Sequence, residues 1–273
     1  MNSAFLLANL LAMVFALVAV VWAHSRWRDK TRSFLVAGAV WAGAVAVGTP
    51  AIKYWLAAPQ RAAERAKAQA EQVLLKRPEF RALKQYQPDS YTAWALVPAW
   101  KAKMEPGRPI PNEELRWGIS MVLKNLLLRA SDEAISAYVE ATLDQLDVLK
   151  QKDGALCFSY LYPSPGQGID GPKYFSPAQL DAESEASAAV IRTATESPQA
   201  APNADQARMV FQPIVVKLAN EFGSDWQMIN GPYRADTDKA KLCRIVSRAY
   251  ELTRQLPPEE RSLAQRYWTM AHG

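Results

Sequence analysis

The sequence predicts an all-α protein made of a two-helix transmembrane hairpin, a helical stalk and an irregular α-helical bundle. Three observations lead there. Two apolar runs free of charge stand near the start of the 273-residue chain. A stretch rich in Ala, Glu, Gln, Lys and Arg follows them. Beyond it, each periodic stretch repeats its apolar residues every three or four positions, the period of a helix packed on one face. Glycine is scarce, 12 residues against 18 prolines, so proline marks most breaks between helices.

The hairpin occupies residues 1–56, with spans at about 4–23 and 34–56. From Met1 to Ser25 there is no charged residue, and Ser33–Ile52 forms a second charge-free run that continues through Tyr54, Trp55 and Leu56. Twenty residues at about 1.5 Å each span about 30 Å, the thickness of the hydrocarbon layer. The connection is too short for anything but a turn. Trp22 and Trp27 bracket one interface, and Tyr54 with Trp55 marks the other, as an aromatic belt requires. The first run lacks the basic start and the short apolar core of a cleaved signal peptide.

Orientation follows from the turn. It carries Arg26, Arg28, Lys30 and Arg32, and basic loops stay in the cytoplasm. The C-terminal domain then lies in the periplasm of a bacterial inner membrane. Arg61, Arg65, Lys67, Lys76 and Arg77 follow the second span and pull the other way, but the first helix usually dominates. Gly38, Ala42 and Ala46 recur every fourth residue, a spacing that lets membrane helices approach closely. It is expected to serve packing of the hairpin against its first span, or else a dimerisation face of a homo-oligomer or a partner helix.

Residues 57–84 read as a basic helical stalk. Ala57–Arg77 is built of strong helix formers, Pro59 suits a first turn, and Pro78 ends the run. Apolar weight is low before Val73, so the first turns are expected to be solvated. The positive charge can rest on anionic lipid headgroups.

Residues 85–273 read as an α-helical extramembrane domain. Asp89 is a candidate cap after Pro88. Pro111-Asn112-Glu113-Glu114 is a start signal, with Asn112 as the cap. Ser131-Asp132-Glu133 starts the next helix and Gly154 is expected to stop it. The short apolar run Ala155–Tyr162 leans towards helix, because no partner strand is visible. After a Pro/Gly loop over Pro163–Ser176, Ser176-Pro177 opens a helix to about Glu196 whose Ala-, Ser- and Glu-rich start suggests an exposed surface. Asp205–Phe222, Asp236–Gln255 and a last helix from Pro257-Pro258 complete the bundle. Pro213 is expected to kink the first of these.

Charge changes meaning when divided along the chain. The formal net charge is +5 and the pI about 9.1, which taken whole suggests a nucleic-acid partner. Residues 1–56 carry five basic and one acidic residue, 57–84 seven and three, and 85–273 twenty and twenty-three. The domain is mildly acidic, so no nucleic acid is expected. The excess reads as a signal for topology and lipid.

Catalytic motifs are scarce. No phosphate-binding GxxxxGK[ST] loop and no GxSxG elbow occurs. His24 and His272 are the two histidines, so the domain's interior lacks the usual general base. No cofactor and no metal site is expected. Carboxylate pairs such as Glu113/Glu114 and Asp144/Asp147, or Asp181, Glu183 and Glu185, fit helix starts and solvated faces equally well. Cys157 and Cys243 invite a disulfide in an extracytoplasmic domain, worth about 4 kcal/mol in the chain-entropy model. The alternative is two separate small buried hydrophobes.

The function expected is that of a membrane-anchored, non-catalytic interaction, scaffold or accessory protein of the bacterial cell envelope. Its partners would be the bilayer and another envelope protein. Trp94, Trp100, Trp117, Tyr160, Tyr162, Tyr233 and Trp268 are candidate anchors of a contact patch, or core. The alternative is a periplasmic, carboxylate-dependent cell-wall hydrolase.

Overall fold

The computed structural model describes residues 57–105, 107–164, 168–200 and 202–272, together with Val18 and Val21. The predicted hairpin, with Trp22, Trp27, Tyr54, Trp55, the basic turn and the Gly38/Ala42/Ala46 stripe, lies outside the described residues. Among the described residues no helix is long and apolar enough to cross a membrane. The described residues form helices and no strand, so the chain is all-α.

The helices run α1 (Ala58–Leu74), α2 (Pro78–Tyr86), α3 (Pro88–Tyr91), a π turn (Thr92–Leu96) and α4 (Val97–Met104). They continue as α5 (Asn112–Leu126), α6 (Asp132–Leu149), α7 (Gly154–Leu161) and α8 (Pro177–Glu196). The last three are α9 (Ala204–Phe222), α10 (Lys239–Arg254) and α11 (Pro258–His272). Short 3-10 segments at Gly171–Lys173 and Gly223–Asn230 precede α8 and follow α9.

Local chemistry sets most of these ends. Ser131 Oγ accepts from Ala134 N–H at 3.3 Å, Asp153 from Ala155 N–H at 2.8 Å, and Asp238 from Lys241 N–H at 2.9 Å. Ser176 and Gln179 form a reciprocal capping box at the start of α8. Each such cap contributes about 1 kcal/mol by satisfying an orphan N–H. Gly223 closes α9 at φ +60°, a left-handed conformation that suits glycine.

Packing builds three connected cores. The first joins α1 to α5, the start of α6 and the end of α8, with Phe80, Leu83, Ile135 and Ile191 at its centre. The second joins α9, α10 and α11 around Leu218, Leu242 and Ile245. The third joins the end of α6 to α7 and the loop before α8, through Leu146, Leu149, Cys157 and Phe175. Helix α6 contacts α7, α8, α10 and α11. Tyr250 packs against all three cores.

Several expectations are corrected. By contacts the chain divides into two units, Met1–Glu64 and Arg65–Gly273. Phe80, Ala82 and Leu83 are core residues, and Ala66, Ala70 and Leu74 bury one stripe of α1; three small or single apolar side chains gave too weak a periodic signal to mark that stripe. Pro111, not Asn112, is the residue before α5, and the Asn112 amide instead donates to Asp170 at 3.1 Å. Asp89 lies in the first turn of α3, after Gln87. Gly154 does not stop α6 but opens α7: a Cβ there would lie 2.4 Å from Cα of Ala240, so its role is close approach of two helices. The start of α8 is no exposed surface throughout. Ser184, Ala186 and Ser187 are buried, because α8 is wedged between α2 and α6.

Candidate interaction surface

The site begins with Pro98. It has no N–H to donate to the carbonyl of Trp94 four residues back, and its ring would crowd that carbonyl. The backbone answers by widening to a π turn over Thr92–Leu96, with Val97 N–H donating to Thr92 O. Such insertions often mark functional positions. Here the turn carries Trp94 onto α5, where Gly118 receives it. A Cβ on Gly118 would lie 2.7 Å from the Trp94 Cβ and 2.9 Å from its carbonyl oxygen. Only a glycine lets the two backbones meet this closely.

The Trp94 ring stands edge-to-face on Trp117, with centroids 5.1 Å apart at 89°, the arrangement that the ring quadrupoles favour. Trp94 remains 37% exposed. Met121, one turn further along α5 on the same face, is 42% exposed. Beside them runs a cleft of about 470 Å³, lined by Pro98, Trp100, Lys101, Met104, Glu105, Arg108 and Glu114. Arg108 pairs with Glu105 at 2.8 Å on its rim. The result is an aromatic and thioether surface edged by charges of both signs.

The remaining aromatic candidates separate. Tyr160 is buried beneath the Arg116 guanidinium, 4.4 Å from its centroid, and edge-on to Phe175. Trp268 packs with Phe211 and Tyr250 in the second core. Tyr162 and Tyr233 form a triangle with Phe158, centroids 5.3 to 6.3 Å apart, on which Tyr233 is 68% exposed. Thus Trp94 and Trp117 meet, Trp100 lines the adjoining cleft, and the others lie elsewhere.

The acids also sort. Glu113 and Glu114 occupy the first turn of α5, and Asp144 and Asp147 line a separate groove. Asp181 lines a cleft of about 340 Å³ with Arg77, Arg116 and Ser184, and Glu185 is exposed. Glu183 pairs with Arg116 and accepts from Gln145 Nε2 at 2.9 Å. Glu79, 2% exposed, bonds both Ser184 Oγ and Arg77. Sequence reasoning missed Glu79, because an acid just after Pro78 looks like any solvated first-turn acid. Among the described residues, no group of three or more His, Cys, Asp or Glu side chains is arranged to hold a metal.

Cys157 on α7 and Cys243 on α10 are joined as a disulfide, with Cα atoms 5.8 Å apart across a sequence separation of 86. Both are buried. The bridge sits beside the Gly154–Ala240 contact, so α7 is pinned to α10 at two points.

Compared with known proteins, the chain matches no family model, no curated protein and no solved structure.

Proposed function

We propose that the chain is a membrane-anchored interaction protein of the bacterial envelope, held by an N-terminal hairpin and contacting a partner protein through the tryptophan face. The observation that carries this reading is the exposed Trp94 edge, seated on Trp117 by Gly118 and flanked by Met121 and the cleft at Trp100. Partly exposed tryptophan and methionine on a rigid helical support is the composition of an interface centre, and the rim of mixed charge suits its edge. A buried disulfide supports placement outside the cytoplasm. The two charge-free runs before residue 57 support the anchor, and the basic turn supports the orientation.

The test combines topology and capture. A C-terminal alkaline phosphatase fusion is expected to be active, and a cytoplasm-only fluorescent fusion dark; the reverse pattern overturns the placement. In mild detergent, a partner that co-purifies with the wild type is expected to be lost with Trp94→Ala and with Met121→Asn. Retention of all partners by both variants overturns the assignment of this face.

A further inference from the structure

A second concavity differs in kind from the tryptophan cleft. It is an open, mainly polar groove of about 660 Å³. Asp144, Asp147, Val148 and Gln151 line it from α6 and the turn after it, with Lys152 beside them; Tyr174 and Gln179 line it from the chain entering α8.

Its two walls are tied together. Gln179 Nε2 donates to the backbone carbonyl of Asp144 at 3.2 Å, while Gln179 Oε1 accepts from Ser176 N–H at 3.1 Å. Lys150 holds Asp147 at 2.6 Å and is itself braced by Glu251 at 3.3 Å. Tyr174 is half-buried against the third core. The groove is therefore shaped before a ligand arrives, which lowers the ordering cost of binding.

The lining narrows the ligand. Asp144 and Asp147 accept hydrogen bonds, Lys152 donates, the Gln151 amide does both, and Gln179, whose Oε1 is held by Ser176, keeps one Nε2 hydrogen to donate. Two carboxylates beside Lys150 and Lys152 leave no strong field of one sign, which disfavours a polyanion. Few apolar side chains are present, which disfavours an amphipathic helix. What fits is a neutral chain with vicinal hydroxyls, C–H faces and amides. We propose that this groove binds an N-acetylated saccharide chain. One ring stacks on Tyr174, hydroxyls bond Asp144 and Gln151, and the acetamido group meets Gln179 with its methyl on Val148. The site is separate from the tryptophan face and the binding breaks no bond.

Titration of the full chain in detergent with chitotetraose, and with maltotetraose for comparison, tests it by calorimetry or thermophoresis. Saturable binding of chitotetraose is expected, with maltotetraose clearly weaker. Tyr174→Ala is expected to weaken binding about fivefold to tenfold, the scale of one aromatic contact, while Tyr174→Phe retains it. Because Tyr174 also packs inward, the surface variants Asp144→Ala and Gln151→Ala carry the test independently; each is expected to weaken binding about threefold or more, as loss of a hydrogen bond does. Trp94→Ala is expected to leave it unchanged. No saturable binding by the wild type, equal binding of the two oligosaccharides, or unchanged binding by the Asp144→Ala/Gln151→Ala double variant overturns the proposal.

Discussion

Arg116 on α5 grips Glu183 on α8 with both prongs of its guanidinium: Nη1 donates to Oε2 at 2.9 Å and Nη2 to Oε1 at 2.5 Å. Gln145 on α6 completes the junction, accepting from Arg116 Nη2 at 3.0 Å and donating to Glu183 Oε2 at 2.9 Å. Three helices are thereby keyed to one register. A pair held this way contributes little net stability, but removing one partner strands the other. Glu183→Gln and Arg116→Met are each expected to cost about 3 kcal/mol in urea unfolding. The double variant Arg116→Met/Glu183→Leu is expected to recover most of that loss. Additive losses would mean that the two residues act separately.

The Cys157–Cys243 bridge closes a long loop. Its removal in Cys157→Ala/Cys243→Ala is expected to lower stability by about 4 kcal/mol in the chain-entropy model. Both cysteines are buried, so reduction of the folded protein is expected to be slow and to quicken in urea. Thiol labelling of the native, unreduced protein is expected to mark neither residue. Rapid labelling of both under those conditions would contradict the bridge.

Gly118 makes the tryptophan face possible. Gly118→Ala places a methyl group 2.7 Å from the Trp94 Cβ, and backbone on both sides leaves little room to yield. A loss of about 1–3 kcal/mol is expected, as for overpacking in general. The Trp94–Trp117 edge contact should loosen with it, seen as a change in near-ultraviolet circular dichroism. Partner capture should fall with the same variant. An unchanged spectrum would show that the ring pair does not depend on the close approach.

Alkali should unfold the domain before its inner tyrosines ionise. Desolvation, with Glu71 nearby, pushes Tyr91 from 10.0 up to about 12. Desolvation also raises Tyr138, Tyr160, Tyr162 and Tyr250. In the unfolded chain these phenols lose their protons near pH 10, while the folded protein holds them. Their contribution to stability is therefore complete below pH 10 and is lost as pH rises towards 12. The part of the tyrosinate absorbance that comes from these buried phenols is expected to rise together with loss of helix. Ionisation of these five tyrosines while the helix content stays unchanged would contradict this.

Much of the fold was legible in the sequence because helix ends are local events. Ser131, Ser176-Pro177 and Pro258 each announce a start through their own backbone geometry or side-chain reach. The start of α7 within the short apolar run was legible only through the absence of a strand partner. Less of the candidate sites could be read. The aromatic residues could be named, but nothing in their spacing told Trp94 and Trp117, which meet at the surface, from Tyr160, which lies under Arg116. Gly154 had the look of a helix stop, because a glycine after an apolar run is the same signal whether it ends a helix or admits a neighbour.

By itself, the sequence determined the all-α class, most helix boundaries, the division of charge between the first 84 residues and the rest, and the scarcity of histidine and cysteine. These depend on composition and on contacts within about four residues. Tertiary structure alone decided which polar groups are consumed inside. Glu79 meets Ser184 across 105 residues, and Arg116 meets Glu183 across 67. Burial of a charge depends on a partner arriving from a distant helix, and helical periodicity carries no information about which helix that is. The same holds for the face at Trp94, which forms when the π turn and α4 pack on α5, and for the groove at Tyr174, which forms when α6 meets the chain entering α8.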